Sequence, residues 1–438
     1  MALSRATAIL KRTFRVAKQA KRSVLSDAYE CREAWESRLS SPVLREVDMD
    51  EFFTRLEKKF NAKRPVDGVD VDIFANCVVE EDQLDELEHF VYRFRRTPSG
   101  VGIFDSTHHA FVRAFLRFHR VDDLLKILFD RVNYGIFPDF YCYNMLMDYF
   151  LRRKNYRDAT KVAVLVMLQE EFLHPVTNRL ALYSCHSYLR EPLPEPWILP
   201  PAPAGKVETD EEEEEEEVFV RIPFLVNPYF DDHFDLREPG DLVGKTLSSV
   251  GTALGGVAGR TYRLVGLGMR RKWEEAGALL DGFASGGETV AREGLERFRR
   301  EVGGCSEGAD SSLRRVLEGS LAAAERVRVW DGDLHASVLE AVGEVSGHES
   351  DDVASQPKLF RSWEKRRETE LDLQLRRSLD REKKEKIEAK RDELQKREKL
   401  LFFFENWNKI EMELEEVKKM PRVAEKTEDY VPPDVRRS

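Results

Sequence analysis

The chain has 438 residues, with 70 Lys and Arg against 81 Asp and Glu, a formal net charge of −11. Its length allows two or three domains, and 42% hydrophobic residues can fill a core, which excludes collagen-like, disulfide-scaffold and wholly disordered classes. An acidic total argues against a nucleic-acid partner only when the charge is evenly spread, and here it is not.

Residues 1–26 hold Arg5, Lys11, Arg12, Arg15, Lys18, Lys21 and Arg22 and no acid. Leu3, Ala6, Ile9, Leu10, Phe14 and Ala17 recur at helical spacing, which predicts a basic amphipathic helix with the composition of a mitochondrial transit peptide. The alternative is a basic arm that binds RNA in the mature protein. The cysteines Cys31, Cys77, Cys142, Cys185 and Cys305 are dispersed, with no Cys-x-x-Cys, so neither a zinc ribbon nor a redox motif is expected. No uncharged apolar run reaches the roughly 18 residues of a membrane span.

From 27 to 190 the sequence repeats. Asp70, Asp105 and Asp139 open apolar-periodic segments at spacings of 35 and 34, and a fourth start near Val176 follows after 37. Each unit reads as two helices. In the first, Val71–Val79 precedes Gln83–Arg96, with Leu84, Leu87, Phe90, Val91 and Phe94 on one side. In the second, Phe111, Ala114, Phe115 and Phe118 line one helix and Leu124, Leu125, Leu128 and Val132 the next. In the third, Tyr143, Leu146, Met147 and Phe150 face Ala159, Val162, Ala163 and Val166. One hairpin cannot bury such stripes, so neighbouring hairpins must stack.

Charge is concentrated in the same region. Between Arg93 and Lys161 there are 13 basic and 7 acidic residues. Arg113, Arg117 and Arg120 recur at helical spacing, and Arg95-Arg96 and Arg152-Arg153-Lys154 fall at turns. Cations in this arrangement suit contacts to an RNA backbone, which position a nucleic acid without reading its sequence.

The remainder is less regular. Six prolines lie in 191–205, and Glu208–Glu217 carries nine acids in ten residues, so 191–217 reads as a Pro-rich, acidic disordered linker. Gly244-Lys245-Thr246 lacks the upstream glycine and strand of a phosphate-binding loop, so no nucleotide cofactor is inferred from it. Helices are expected over 241–257 and 271–283. Further hairpins with Gly/Ser-rich breaks fill 218–356. From Arg361 to Leu400, 26 of 40 residues are charged, with no Gly or Pro, which predicts a long exposed helix over 357–420 ahead of a tail, 421–438. The fold class is therefore all-α: an α-solenoid of degenerate helical hairpins followed by a long charged carboxy-terminal helix.

Gly135-Ile136-Phe137-Pro138-Asp139, then Tyr143-Asn144-Met145-Leu146-Met147-Asp148, then Tyr156-Arg157-Asp158-Ala159, resemble the pentatricopeptide repeat. The Trp/Leu/Gly/Tyr signature of the tetratricopeptide repeat is absent. The match departs at Lys154, where the family has glycine. Such arrays read single-stranded RNA roughly one base per repeat, and the resemblance assigns base contact to Asp139 and Asn144. The corresponding residues of the earlier units, Ala110 and Ala75, offer no hydrogen bond. Asn144 also reads simply as a polar residue near a helix start. Together with Ser23–Tyr29, Trp35-Glu36 and Val132-Asn133-Tyr134, these motifs look like a pentatricopeptide-repeat family of the mitochondrial small ribosomal subunit. That resemblance implies a matrix ribosomal component contacting ribosomal RNA and neighbouring ribosomal proteins, with no catalysis, cofactor, metal or small-molecule substrate. Two other functions are weighed: a free RNA-maturation or translation factor of the same repeat class, and an RNA-free helical scaffold.

Overall fold

The computed structural model describes residues 24–191, 197, 236, 238–306, 311–405 and 407–419. Nearly all of the expected transit peptide, the acidic run Glu208–Glu217 and the tail 421–438 lie outside the described residues. The described residues are overwhelmingly helical, and none of their helices is long and apolar enough to cross a membrane. The chain divides into two compact units, Met1–Glu368 and Thr369–Ser438.

The first unit starts with short helices α1 (Arg32–Glu36) and α2 (Pro42–Arg45), then α3 (Met49–Asn61). The repeats follow as α4 (Gly68–Cys77) with α5 (Gln83–Arg95), α6 (Asp105–Arg117) with α7 (Val121–Phe129), and, after the short α8 (Arg131–Tyr134), α9 (Phe140–Arg152) with α10 (Tyr156–Leu168). Their starts follow from local chemistry. The Asp48 side chain accepts the Asp50 and Glu51 amides, Asp139 accepts that of Cys142, and Asn155 accepts that of Asp158. Each satisfies an N–H that the first helical turn leaves without a backbone partner. The ends have a shared device too. Lys63, His119, Lys154, Glu170 and Arg271 each lie two residues past a helix, with φ between 49° and 60°. Lys154 thus adopts the left-handed conformation that glycine favours, although it is not glycine.

The fourth unit begins as expected with α11 (Pro175–Arg190), but its partner is α12 (Pro239–Leu254), which packs on α10 and α11 from across the expected linker. Trp197, inside that linker, is buried with its ring 6.1 Å from that of Phe129. A helix missed by the sequence, α13 (Gly256–Met269), packs closely on α12. Its glycines are what make this possible. A Cβ on Gly251 would stand 2.5 Å from the Gly259 carbonyl oxygen, and one on Gly266 would overlap the Gly244 carbonyl. The glycine-rich stretch is therefore a backbone-to-backbone helix crossing, and the Thr246 hydroxyl, buried within it, donates to the Leu242 carbonyl at 2.8 Å.

A satellite core follows, built on α14 (Trp273–Ser285), α15 (Arg292–Ser306) and α16 (Ser311–Arg326), with Trp273, Phe283, Leu295, Phe298 and Leu317 buried together. Strands β1 (Thr289–Ala291) and β2 (Arg328–Trp330) pair in parallel, Val290 opposite Val329. After α17 (Leu334–Gly343), helix α18 spans Val345–Leu401. It begins twelve residues before the predicted start at Pro357, which sits inside it. Proline lacks the N–H that would bond Val353, and the Cys31 thiol lies 3.8 Å from that freed carbonyl.

In the second unit, α18 continues to Leu401 and α19 covers Trp407–Lys419, so the expected single helix over 357–420 is two. Between them the Phe403 ring packs edge-on against Phe404 and Trp407 at 5.6 and 5.1 Å. Phe404 is 89% exposed.

Candidate nucleic-acid interface

The first helices of the three repeats, α4, α6 and α9, present one face on which a base-reading array would work. In this protein that face carries two of the chain's own segments. Tyr29 stacks on Tyr141 of α9, with ring centres 4.3 Å apart, and its hydroxyl donates to Asp352 of α18 at 3.0 Å. Trp35 packs 5.1 Å from the His109 ring of α6, and Phe360 and Trp363 of α18 reach the same ring at 5.6 and 5.1 Å. Further along, Arg367 forms a fully buried ion pair with Asp72 of α4 at 2.7 Å, while Ser106 and Thr107 donate to the other oxygen of that carboxylate. Residues more than 300 positions apart in the sequence thus meet over the repeat face.

This occupation decides where the sequence-predicted residues stand. Asn144 is completely buried, and its amide donates to the Tyr29 hydroxyl at 2.8 Å. Ala75 and Ala110 are buried as well. Asp139 caps α9 and lies 3.2 Å from His109 Nδ1. Arg113 was expected on an open charged face. Instead it is 8% exposed, donating Nε to His109 at 2.7 Å and Nη1 to the Glu30 carbonyl at 2.7 Å. Burial holds its pKa below the usual arginine value. Asn144 and Arg113 are thus engaged by the amino-terminal segment, whereas Asp139 keeps about 30% of its side chain exposed.

Of the other candidates, Arg95, Arg96, Arg152, Arg153 and Lys154 lie at helix ends or the turns after them, and Arg117 and Arg120 flank the turn after α6. Arg96 is exposed with its guanidinium 3.9 Å over Tyr92, and Arg153 is exposed 3.6 Å over Tyr149. Arg117 and Lys154 are exposed. Arg95 is half-buried and lies against the Val132 carbonyl. Arg120 is tied to Asp85 and Asp123, and Arg152 to Asp148 and Asp27, so both are committed to ion pairs.

One cluster escaped the sequence, because its members come from different helices. His109 Nδ1, an Asp139 oxygen and Cys142 Sγ lie within 4.8 Å of one another, a spacing that a metal ion could use. Hydrogen bonds account for the arrangement. Arg113 donates to His109 Nε2, which leaves the ring proton on Nδ1, facing Asp139. Burial keeps His109 below its ordinary pKa. Burial also opposes ionisation of Asp139, but the His109 contact and the Cys142 amide outweigh it and hold the carboxyl down to about 2. Burial pushes the Cys142 thiol well up, away from the thiolate a metal requires. Only the start of α9 at Asp139 was legible; Cys142 read as a dispersed cysteine, and His109, thirty residues upstream, carried no signal of its own.

The motifs of the third repeat can now be set beside known families. The family described as mitochondrial 28S ribosomal protein S27 matches residues 1–393. The chain belongs to that family. It is therefore a component of the small subunit of the mitochondrial ribosome, located in the mitochondrial matrix, and its partners are components of that ribosome. The match runs through the repeat hairpins, the satellite core and most of α18, and stops before α19.

Proposed function

We propose that this S27-family chain binds small-subunit ribosomal RNA by phosphate contacts from Arg96, Arg117, Arg153 and Lys154, and supports mitochondrial translation as a structural component. The observation that carries the reading is the division of the repeat surface. The first-helix face is filled by Tyr29, Trp35 and α18, whereas these four cations stay exposed. A protein so arranged holds RNA without reading it, and the filled face argues against a free factor with a base code.

The test replaces the four residues with Gln together. Each lost phosphate contact removes roughly 0.7–0.9 from the slope of log affinity against log salt, so the slope should fall by about 3. Binding to the ribosomal RNA should weaken, and co-sedimentation with the small subunit in a sucrose gradient should be lost at a lower salt concentration than for the parent. An unchanged slope overturns the proposal. The commitment of Arg120 and Arg152 to ion pairs favours a second reading, an RNA-free scaffold, in which the same variant leaves co-sedimentation intact at every salt concentration.

A further inference from the structure

Between the amino-terminal segment and the carboxy-terminal ends of α6 and α9 lies a cavity of about 510 Å³. That volume is within the roughly 300–1,000 Å³ range of small-molecule sites. Its walls are unusually cationic. Arg32, Arg38, Arg113, Arg117, Arg152 and Arg153 line it, against Glu30, Glu36 and Asp148. Two of the acids are already used, Glu30 by Arg32 and Asp148 by Arg152. Arg38, Arg113, Arg117 and Arg153 are left facing Glu36 alone among the acids of the lining.

The arginines are held close together. Arg38 and Arg113 share the ring of Trp35, their guanidinium carbons 4.0 and 4.8 Å from its centre. Arg113 Nη2 and Arg38 Nε are buried N–H groups with no hydrogen-bond partner among the described residues. Burial and then the charge of Arg113 push Arg38 down to about 9. Buried donors of like charge, without partners, are costly unless an anion completes them. The segment preceding Leu25 cannot supply one, because residues 1–23 carry seven Lys or Arg and no acid. Planar guanidinium forks match phosphate oxygens, and the wall also holds the partly exposed Tyr149 ring, an aromatic surface of the kind on which a base stacks.

We propose that this cavity takes a phosphate-bearing nucleotide, with its phosphate among Arg38, Arg113 and Arg117. The ligand is either a nucleotide of an RNA strand or a free mononucleotide, two sources of one chemistry. The site goes beyond backbone contact at the turns, because it sets buried guanidinium donors around one phosphate.

The full chain is titrated calorimetrically with adenosine 5′-monophosphate, with adenosine, and with a short oligouridylate bearing a 5′-hydroxyl. The expected result is one-to-one binding of the monophosphate or the oligouridylate and none of adenosine. Arg38→Gln and Arg117→Gln should each weaken that binding about tenfold or more, with unchanged far-ultraviolet circular dichroism. Displacement of the monophosphate by the oligouridylate, or binding of the oligouridylate alone, assigns the site to RNA. Monophosphate binding that the oligouridylate does not disturb assigns it to a free nucleotide. Binding of neither probe, or binding that both variants leave unchanged, overturns the proposal. Co-sedimentation of Arg38→Gln with the small subunit reads the ribosomal RNA proposal separately, since Arg38 has no part in it.

Discussion

The α12–α13 crossing offers a sharp test of the packing argument. Replacing Gly251 with Ala adds a Cβ that would stand 2.5 Å from the Gly259 carbonyl oxygen and 2.8 Å from the Arg263 amide nitrogen. Ordinary contact begins near 3.4 Å, so the shortfall is about 0.6–0.9 Å. Both obstacles are backbone atoms, so relief requires the two helices to separate. A gap of about 0.5–1 Å forfeits roughly a quarter to a half of the dispersion energy of facing atoms. Buried Leu247 and Val250 on one helix and Leu264 and Val265 on the other would bear that loss. Overpacking of this kind costs about 1–3 kcal/mol, and Ala recovers up to about 1 kcal/mol over Gly through helix propensity. The net expectation is destabilisation by about 1 kcal/mol, a fall of roughly 1–2 °C in Tm for a unit of this size. Gly319, an exposed residue of α16, is the control, because its added Cβ would meet nothing within 4 Å. Gly319→Ala should stabilise by about 0.5–1 kcal/mol. Thermal unfolding followed by circular dichroism measures both. If Gly251→Ala melts at or above the parent temperature, the close backbone crossing is refuted.

Three further outcomes are expected. Lys154→Gly should raise stability in urea titration by up to about 1 kcal/mol, because it relieves a left-handed conformation that costs an ordinary residue about 1–2 kcal/mol, less the extra chain entropy of glycine; a loss of stability would contradict the φ of 58° found there. Arg367→Met should cost about 3–5 kcal/mol by leaving the Asp72 carboxylate buried without its cation, and adding Asp72→Asn should recover most of it; equal midpoints for the single and double variants would count against the pair. Burial lowers His108 and His186 each to about 4 from an ordinary 6.5, so the unfolded chain takes up protons first and stability should fall as pH drops from about 6.5 to about 4, by up to roughly 3 kcal/mol per residue. Urea midpoints of the His108→Gln, His186→Gln double variant should be flatter across that window, and an identical pH slope would disprove the assignment.

The hairpins were legible because their information is local. A stripe such as Phe111, Phe115 and Phe118 reports its helix directly, and Asp139 marks the start of α9 by the bond that caps it. What escaped was non-local or compositionally disguised. No helix was expected between 257 and 271, yet Gly259 and Gly266 of α13 are placed where another backbone comes close. Pro357 looked like a boundary, but the helix passes through it. Asn144 had the right position for base contact, and only the fold reveals that Tyr29, 115 residues away, already occupies its amide. Of the turn cations, Arg96, Arg153 and Lys154 are exposed, whereas Arg95 is half-buried and Arg152 is held in ion pairs.

The joining of Asp72 to Arg367 has a consequence in time as well as in space. The two residues are separated by 295 positions. A chain made amino-terminus first presents all three repeats before α18, which completes their cover. During that interval Asp72 lacks Arg367, and the His109 ring lacks Phe360 and Trp363. Closing so long a loop is slow relative to forming each hairpin. The order of arrival thus leaves the repeat face short of its α18 partners for a limited period, and the arrival of Arg367 ends it.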